Sequence, residues 1–278
     1  MKIYRTTAGI ILENNETFYQ SPHRDWDTYL NRDDLYSQLL TEISTLTPVG
    51  GAEWLANQAI LAPIVSQEIW AAGVTYSRSK NARMEESKDA GGGTFYDRVY
   101  EAERPEIFFK ASAQRTVGTG GKVRIRKDST WDVPEPELTL YFTSNGKIVG
   151  YTAGNDMSSR SIEGENPLYL PQAKSYDGCA ALGPCVYVSA SPIASHTRIA
   201  LEIKRDGQVV FANSIAIDQM KRGHQELGEF LFRECSFPVG CFLMTGTGIV
   251  PPNDFTLQTN DEVAISIDNI GTLHNTVA

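Results

Sequence analysis

The chain has 278 residues, of which 41% are hydrophobic and 21% are charged, and its formal net charge is −9. These values are typical of a globular protein, and an acidic balance without a basic run argues against nucleic acid or an anionic membrane as partner. No apolar stretch reaches the length of a membrane span, and the first residues lack the organisation of a signal peptide, so we expect a cytoplasmic protein.

Residues 1–61 are predicted to form a small N-terminal α+β domain. The runs 2–4 and 9–12 are typical of short strands. Over 33–46 apolar residues recur at helical spacing, which predicts a helix that ends at the Pro- and Gly-containing segment 47–51. Nothing in this part of the chain indicates chemistry.

From residue 62 onward short strands and turn signals dominate, which predicts a larger, mainly β domain over 62–278 with a few helices. Residues 68–74 are expected to form a buried strand that leads through a loop into a helix over 75–86. The three consecutive glycines of 91–93 predict a flexible segment, either a lid with the helix that follows or a plain linker.

A strand is also predicted over 105–110. Its alternation places Glu106 and Lys110 on the same side as Phe108. The best helix candidate in this half of the chain is 215–232.

One β-hairpin is predicted with a defined turn. Two apolar runs flank the sequence Ser-Asn-Gly-Lys at 144–147, and Asn-Gly between such runs is the strongest short-range hairpin signal. Both central residues of a type I′ turn need a positive φ. A two-residue loop of Asn145 and Gly146 would fix the register and place Phe142 opposite Val149.

The same register gathers three carboxylates at the open end of the hairpin. It places Glu135 opposite Asp156, and Glu137 points to the same side because it is two residues from Glu135. Like charges this close need neutralisation, and an all-oxygen set suits Mg²⁺, Mn²⁺ or Ca²⁺ rather than zinc. The alternative is an ordinary solvated hairpin face, and a one-residue slip would turn Asp156 away.

Four motifs, the first of which contains two of these carboxylates, follow one another in a specific order. They are Glu135-x-Glu137, Gly150-Tyr151-Thr152-x-Gly154-Asn155-Asp156-x-Ser158-x-Arg160, Lys174-Ser175-x-Asp177 before Leu182-Gly183-Pro184, and Thr245-Gly246-Thr247-Gly248. In these motifs the segment from about residue 68 to 278 resembles the fumarylacetoacetate hydrolase superfamily. The resemblance implies a mixed β-sandwich roll, a homodimer or higher homo-oligomer, and a Mg²⁺ or Mn²⁺ ion held by Glu135, Glu137 and Asp156.

One departure from the family pattern bears on the reaction. Hydrolytic members usually carry Asn-Tyr-x-x-His and a following acid at the first core strand, and this dyad activates water. Here residues 75–79 read Thr-Tyr-Ser-Arg-Ser, with Ser79 where the histidine is expected. The patterns over 76–86, 104–110 and 245–252 resemble the sugar-acid branch typified by 2-keto-3-deoxy-arabinonate dehydratase.

The resemblance therefore implies a Mg²⁺-dependent dehydratase, a lyase that acts on a 2-keto-3-deoxy sugar acid. A metal-stabilised enolate would form when a C3 proton leaves, and loss of hydroxide from C4 would follow. The alternatives are a C–C bond hydrolase or decarboxylase acting on an acylpyruvate-like diketo acid, and an inactive member that binds a metal or a sugar acid.

Catalytic and substrate-binding candidates follow from the same comparison. Lys174 is the candidate for proton transfer at C3 or for holding a substrate oxygen. Glu106 is the candidate acid for the leaving hydroxyl, unless it forms a structural ion pair with Lys110 or Arg104. Candidate binders of the small 2-oxo acid substrate are Thr247, Arg78, Arg83, Arg160 and Tyr76.

Overall fold

The structure is a computed structural model that describes residues 1–86 and 93–278. It confirms the expected mainly β, α+β fold. The strands are β1 (Lys2–Thr6), β2 (Gly9–Asn14), β3 (Thr17–Gln20), β4 (Pro48–Gly50), β5 (Glu68–Gly73), β6 (Glu106–Ser112), β7 (Thr116–Val117), β8 (Lys122–Val123), β9 (Asp132–Val133), β10 (Pro136–Phe142), β11 (Ile148–Asp156), β12 (Ser158–Ser159), β13 (Ala180–Tyr187), β14 (Arg198–Arg205), β15 (Gln208–Ala216), β16 (Cys241–Met244), β17 (Glu262–Ile267) and β18 (Gly271–Val277). The helices are α1 (Trp26–Leu30), α2 (Leu35–Ile43), α3 (Ala52–Ala56), α4 (Ser77–Glu86), α5 (Gly93–Glu101), α6 (Arg160–Glu165), α7 (Leu170–Lys174) and α8 (His224–Phe232).

Two sheets pack face to face. The larger has eleven strands, most of them in the order β4-β3-β2-β1-β13-β11-β10-β16-β5-β6, and the smaller has five in the order β15-β14-β17-β18-β8. Apolar side chains from the facing sides of both sheets form one buried cluster, whereas a second cluster lies between the other face of the large sheet and the helices α1 and α2. This is the layered arrangement that lets both faces of a large sheet bury apolar area.

The first 61 residues continue the large sheet, because β1 pairs with β13 and brings β2, β3 and β4 with it. Helix α2 lies within the helix predicted over 33–46. The division into domains at residue 62 stays a prediction. Residues 91 and 92 of the predicted glycine segment lie outside the described residues, and α5 follows them. Among the described residues, none of the helices combines the length and apolar character needed to cross a membrane.

The prediction of a helix over 215–232 is wrong in its first half. Strand β15 continues to Ala216, where it pairs with β14, so tertiary strand pairing overrides the helical spacing there. Helix α8 begins only at His224, after Gly223, whose backbone N–H donates to Glu226 Oε2 at 3.0 Å.

The hairpin β10–β11 has a different turn from the one predicted. Gly146 has φ +74°, but Asn145 is not in the positive-φ region, so the turn is not type I′. Thr143 N–H donates to Lys147 O at 2.9 Å, which closes a loop of three residues. This loop shifts the pairing by one residue, and Phe142 lies opposite Ile148 instead of Val149.

A β-bulge between Tyr141 and Phe142 reverses this one-residue shift. Beyond Tyr141, which lies opposite Gly150, the predicted register holds, with Thr139 opposite Thr152. Asp156 N–H donates to Glu135 O at 3.0 Å, which aligns the open end of the hairpin as predicted.

Candidate active site

The ends of five neighbouring strands meet at one edge of the large sheet. These neighbouring strands are, in order, β11, β10, β16, β5 and β6. Strands β16 and β5 are parallel and the other neighbouring pairs are antiparallel. The edge is therefore formed by the C-terminal ends of β11, β16 and β5 and by the N-terminal ends of β10 and β6. At these ends lie Asp156, Glu135, Glu137, Gly246, Thr247, Gly73 and Glu106.

The predicted carboxylate trio is assembled. Glu135, Glu137 and Asp156 each offer a ligand oxygen, and these atoms lie within 4.8 Å of one another. All three residues are buried. Burial raises the pKa of Glu137 well above its ordinary value, and the charges of Asp156 and Glu135 raise it further. Buried carboxylates whose oxygens converge in this way are the donor set that a hard divalent cation stabilises, so these residues fit Mg²⁺.

A glycine-containing turn after β16 holds the carboxylate of Glu137. Gly246 N–H donates to Glu137 Oε2 at 2.6 Å. Gly246 has φ +92°, and a Cβ there would lie 2.1 Å from Thr75 Oγ1, so only glycine fits. Thr75 Oγ1 in turn donates to Thr245 O at 2.7 Å, which joins this turn to the end of β5.

Lys174 lies at the C-terminal end of α7 and is fully buried. Its Nζ donates to Glu135 Oε2 at 2.7 Å, to Asp156 Oδ2 at 3.3 Å and to Ser158 Oγ at 2.6 Å. Ser158 Oγ donates to Asp156 O at 3.0 Å, so the serine accepts from the lysine and ties it to the same strand end. The structure therefore brings the candidate proton-transfer residue into contact with two of the three carboxylates.

A second buried lysine, Lys110, was not predicted as a site residue. Its Nζ lies 2.6 Å from Asp156 Oδ1, donates to Met157 O at 2.9 Å, and contacts Lys174 O. Burial alone would raise the pKa of Asp156, but the ammonium groups of Lys110 and Lys174 outweigh it and hold that pKa below its ordinary value. The alternation Glu106-x-Phe108-x-Lys110 is the sequence signal that could have indicated this role.

Two of the three candidate arginines line the site. Arg160 Nη2 lies 3.5 Å from Glu135 Oε1. Burial lowers the pKa of Arg160 to about 9, with Arg83 and Arg78 adding to the effect, so the guanidinium keeps its charge at neutral pH. Arg83 forms an ion pair with buried Glu163 of α6, and its guanidinium lies 5.6 Å from the Tyr96 ring of α5.

The other substrate-binding candidates are placed differently. Thr247 lines the cavity, but its hydroxyl already accepts from Ile249 N and donates to Ile249 O, both at 3.1 Å. Tyr76 is buried beside Gly248, and burial followed by the charges of Glu137 and Asp218 raises the pKa of its hydroxyl. Arg78 is exposed and does not line the cavity.

Glu106 borders the cavity through its neighbour. Its carboxylate lies against Gly73, and Gly73 is a lining residue. The structural alternative with Lys110 is not formed, since Lys110 contacts Asp156. The cavity itself is lined by Ala72, Gly73, Val74, Ser79, Arg83, Phe108, Glu135, Glu137, Asp156, Arg160, Lys174, Gly246 and Thr247.

Comparison with known families explains this arrangement. The family described as fumarylacetoacetate (FAA) hydrolase C-terminal matches residues 69–278, about three quarters of the chain. The chain belongs to this family. Family membership confirms the resemblance and the fold expected from the motifs, and it places the carboxylate trio and Lys174 inside the matched region.

Two curated relatives are dehydratases by name. The chain is 49% identical over 216 residues to a probable 2-keto-3-deoxyxylonate dehydratase of Haloferax volcanii. The aligned region covers 77% of this chain and 73% of the relative. It is also 45% identical over 216 residues to the 2-dehydro-3-deoxy-D-arabinonate dehydratase of Saccharolobus solfataricus, and this alignment covers 77% of this chain and 72% of the relative.

Solved structures agree with these relatives over the full chain. The apo form of a 2-keto-3-deoxy-D-arabinonate dehydratase superimposes with a TM-score of 0.85 at 37% identity, covering 100% of this chain and 98% of the other. A structure described as that dehydratase complexed with magnesium and 2,5-dioxopentanoate matches with a TM-score of 0.84 at 37% identity and the same coverage.

Proposed function

We propose that this enzyme is a Mg²⁺-dependent dehydratase, a hydro-lyase, of a five-carbon 2-keto-3-deoxy sugar acid. The observation that carries the proposal is the buried cluster in which Lys174 Nζ contacts Glu135 and Asp156. A carboxylate trio and a lysine that share one cavity can act together on a 2-oxo acid, because one holds a cation and the other moves a proton.

The names of the relatives limit the choice of substrate to one compound. In a five-carbon acid with a ketone at C2 and a methylene at C3, C4 is the sole stereocentre, so the arabinonate and xylonate names can describe one compound. Loss of one water from such an acid gives the composition of 2,5-dioxopentanoate, the molecule named in the matching magnesium complex. We therefore propose this acid as substrate and 2,5-dioxopentanoate as product.

Glu135, Glu137 and Asp156 would hold the Mg²⁺ ion. When bound, the ion supplies Lewis-acid polarisation of a carbonyl and stabilises negative charge on its oxygen. Lys174 takes the proton from C3 in its neutral amine form and becomes an ammonium group, and Ser158 and Lys110 hold its side chain and its backbone carbonyl in place.

Glu106 gives its proton to the hydroxyl that leaves C4, so that water departs and a C3=C4 double bond forms. The C5 hydroxyl remains at this stage. A proton moved from C5 to C3 shifts the double bond to C4=C5, and ketonisation of that enol gives the C5 aldehyde. Arg83 and Arg160 supply positive charge for the substrate carboxylate at the wall of the cavity.

Ser79 supports dehydration over C–C hydrolysis. Its hydroxyl donates to Tyr76 O at 2.9 Å and accepts from Tyr76 N at 3.2 Å at the start of α4. A serine used in this way does not replace the imidazole base that hydrolysis would need.

Mass spectrometry of the products tests the proposal. The enzyme is incubated with 2-keto-3-deoxy-arabinonate and with an acylpyruvate, each with Mg²⁺ and with EDTA. We expect a product lighter by one water from the sugar acid, formed with Mg²⁺ only. Two fragments whose masses sum to substrate plus water would establish the hydrolase instead, and no turnover despite Mg²⁺ binding would indicate an inactive binding protein.

Three further properties belong to the same proposal. We infer a cytoplasmic enzyme from the sequence features described above. A homodimer or higher homo-oligomer follows from the family resemblance and is supported by an exposed edge strand, β15. The division into residues 1–61 and 62–278 is supported by the family match, which begins at residue 69.

A further inference from the structure

Gly73 is the last residue of β5 and lies directly opposite Glu106, the first residue of β6. A Cβ atom at residue 73 would lie 1.8 Å from Glu106 Oε2 and 2.6 Å from its Cδ, and real Cβ atoms do not approach other atoms within 3.0 Å. The φ of Gly73 is outside the positive region, so the backbone does not require glycine there. The space that a side chain would fill is taken by the Glu106 carboxylate.

The carboxylate that lies against Gly73 has one oxygen whose hydrogen-bonding capacity is not satisfied. Glu106 Oε2 is buried, and among the described residues it has no hydrogen-bond partner. A buried polar atom without a partner is costly, and such atoms concentrate at functional sites. The charge of Glu106 acts on Arg83, a residue of the cavity wall, so the carboxylate belongs electrostatically to the site.

We propose that Gly73 is a positioning residue that holds the Glu106 carboxylate toward the hydroxyl leaving C4. This inference rests on the proposed function and deepens it. In the step concerned the C4–O bond breaks, the hydroxyl takes the proton of Glu106 and departs as water, and Lys174 receives the C3 proton while the C3=C4 bond forms. A methyl group at residue 73 would displace the atoms that make this transfer.

Double-variant kinetics test the catalytic part of the inference. Gly73→Ala is expected to lower kcat on the order of 100-fold, the range in which general acid catalysis contributes, with KM changed far less. Glu106→Gln should give a similar loss. The combined variant should be as slow as Glu106→Gln to within about threefold, because a residue that acts through Glu106 has nothing left to position.

Thermal unfolding tests the geometry without relying on activity. Gly73→Ala is expected to lower Tm by about 3–10 °C through overpacking against the carboxylate. In a Glu106→Ala background the same change should cost little, because the clashing atoms are gone. If Gly73→Ala lowers Tm as much in the Glu106→Ala background as in the wild type, the proposed contact between residue 73 and the Glu106 carboxylate is wrong.

Gly150→Ala is the matched control. Gly150 also lies in a strand of the large sheet, and a Cβ there would lie 2.4 Å from Val186 Cγ1, but it does not line the cavity. It should lose stability and keep kcat. A Gly73→Ala variant that retains kcat, or loses it equally with and without Glu106, would overturn the positioning role. Coupling in Tm without any effect of Glu106→Gln on kcat would instead reject Glu106 as the acid.

Discussion

Lys174 shows at the residue scale how one side chain serves two requirements. Its ammonium group contacts the oxygens that would hold the metal, at 2.7 Å from Glu135 and 3.3 Å from Asp156, and its neutral amine form is the candidate acceptor of the C3 proton. The same positive charge therefore stabilises the carboxylates and competes with a cation for them.

Lys174→Met should separate these two effects. The change keeps the length of the side chain and removes the ammonium group, so we expect kcat to fall on the order of 100-fold or more while Mg²⁺ binds at least as tightly. Steady-state kinetics and calorimetric Mg²⁺ titration measure the two. The control is Lys204→Met, since Lys204 lies on β14 of the five-stranded sheet beside Glu202, and this change should alter neither kcat nor Mg²⁺ binding. Loss of Mg²⁺ binding in Lys174→Met would contradict the assignment.

Asp132 carries a stability cost that depends on pH. Burial raises its pKa from 3.8 to about 6, with smaller opposing effects from Ser129 and Arg126. The folded state therefore binds a proton that the unfolded state has lost between about pH 4 and pH 6, and stability falls as pH rises through this window. Above the window the charged form bears the full cost.

Asp132→Asn should remove that cost. We expect the variant to be more stable than the wild type at pH 7 by roughly 1–3 kcal/mol, with the gain disappearing below about pH 4. Urea unfolding at a series of pH values measures it. Asp128→Asn is the control, because Asp128 is exposed and the hydrogen bonds that it accepts from Arg126 lower its pKa, so this change should give no gain. An equal gain at every pH would show that the charge of Asp132 is not the cause.

At the scale of elements, the hairpin β10–β11 shows why the site could be predicted although its turn could not. The Asn-Gly signal located the hairpin, but the choice between two-residue and three-residue loops depends on a bulge that sequence alternation does not reveal. The bulge cancels the shift of the longer loop, so Glu135 and Asp156 meet as the simpler turn predicted.

Other elements depended on contacts between distant segments. The start of the helix predicted over 215–232 became strand because β14 was available to pair with it. The spacing along β6 offers Lys110, like Arg104, only as an alternative ion-pair partner of Glu106, whereas in the structure Lys110 contacts Asp156 from another strand. Local spacing specified which side of β6 these residues face, and tertiary packing decided what they meet.

At the scale of the whole molecule, the two sheets differ in how their edges are protected. Strand β15 forms one edge of the five-stranded sheet, and none of its nine residues is charged. Val209 and Val210 are 53% and 42% exposed there. Edge strands of soluble proteins usually carry charges, prolines or bulges that discourage further pairing. Strand β15 has a bulge at Val210, between the pairs Val209–Lys204 and Phe211–Ile203, but it has no charged residue and no proline. An uncharged edge of this length suits antiparallel pairing with the same strand of a second copy about a two-fold axis.

Val210→Lys should therefore weaken the proposed homodimer. A lysine at residue 210 of each copy would bring two like charges into the paired edge, and burying like charges disfavours pairing. Light scattering coupled to size-exclusion chromatography should show a shift from dimer toward monomer mass. Val49→Lys is the matched control, because Val49 is similarly exposed on β4, one of the two edge strands of the large sheet. If Val210→Lys keeps the mass of the wild type and Val49→Lys reduces it, the copies meet through the large sheet instead.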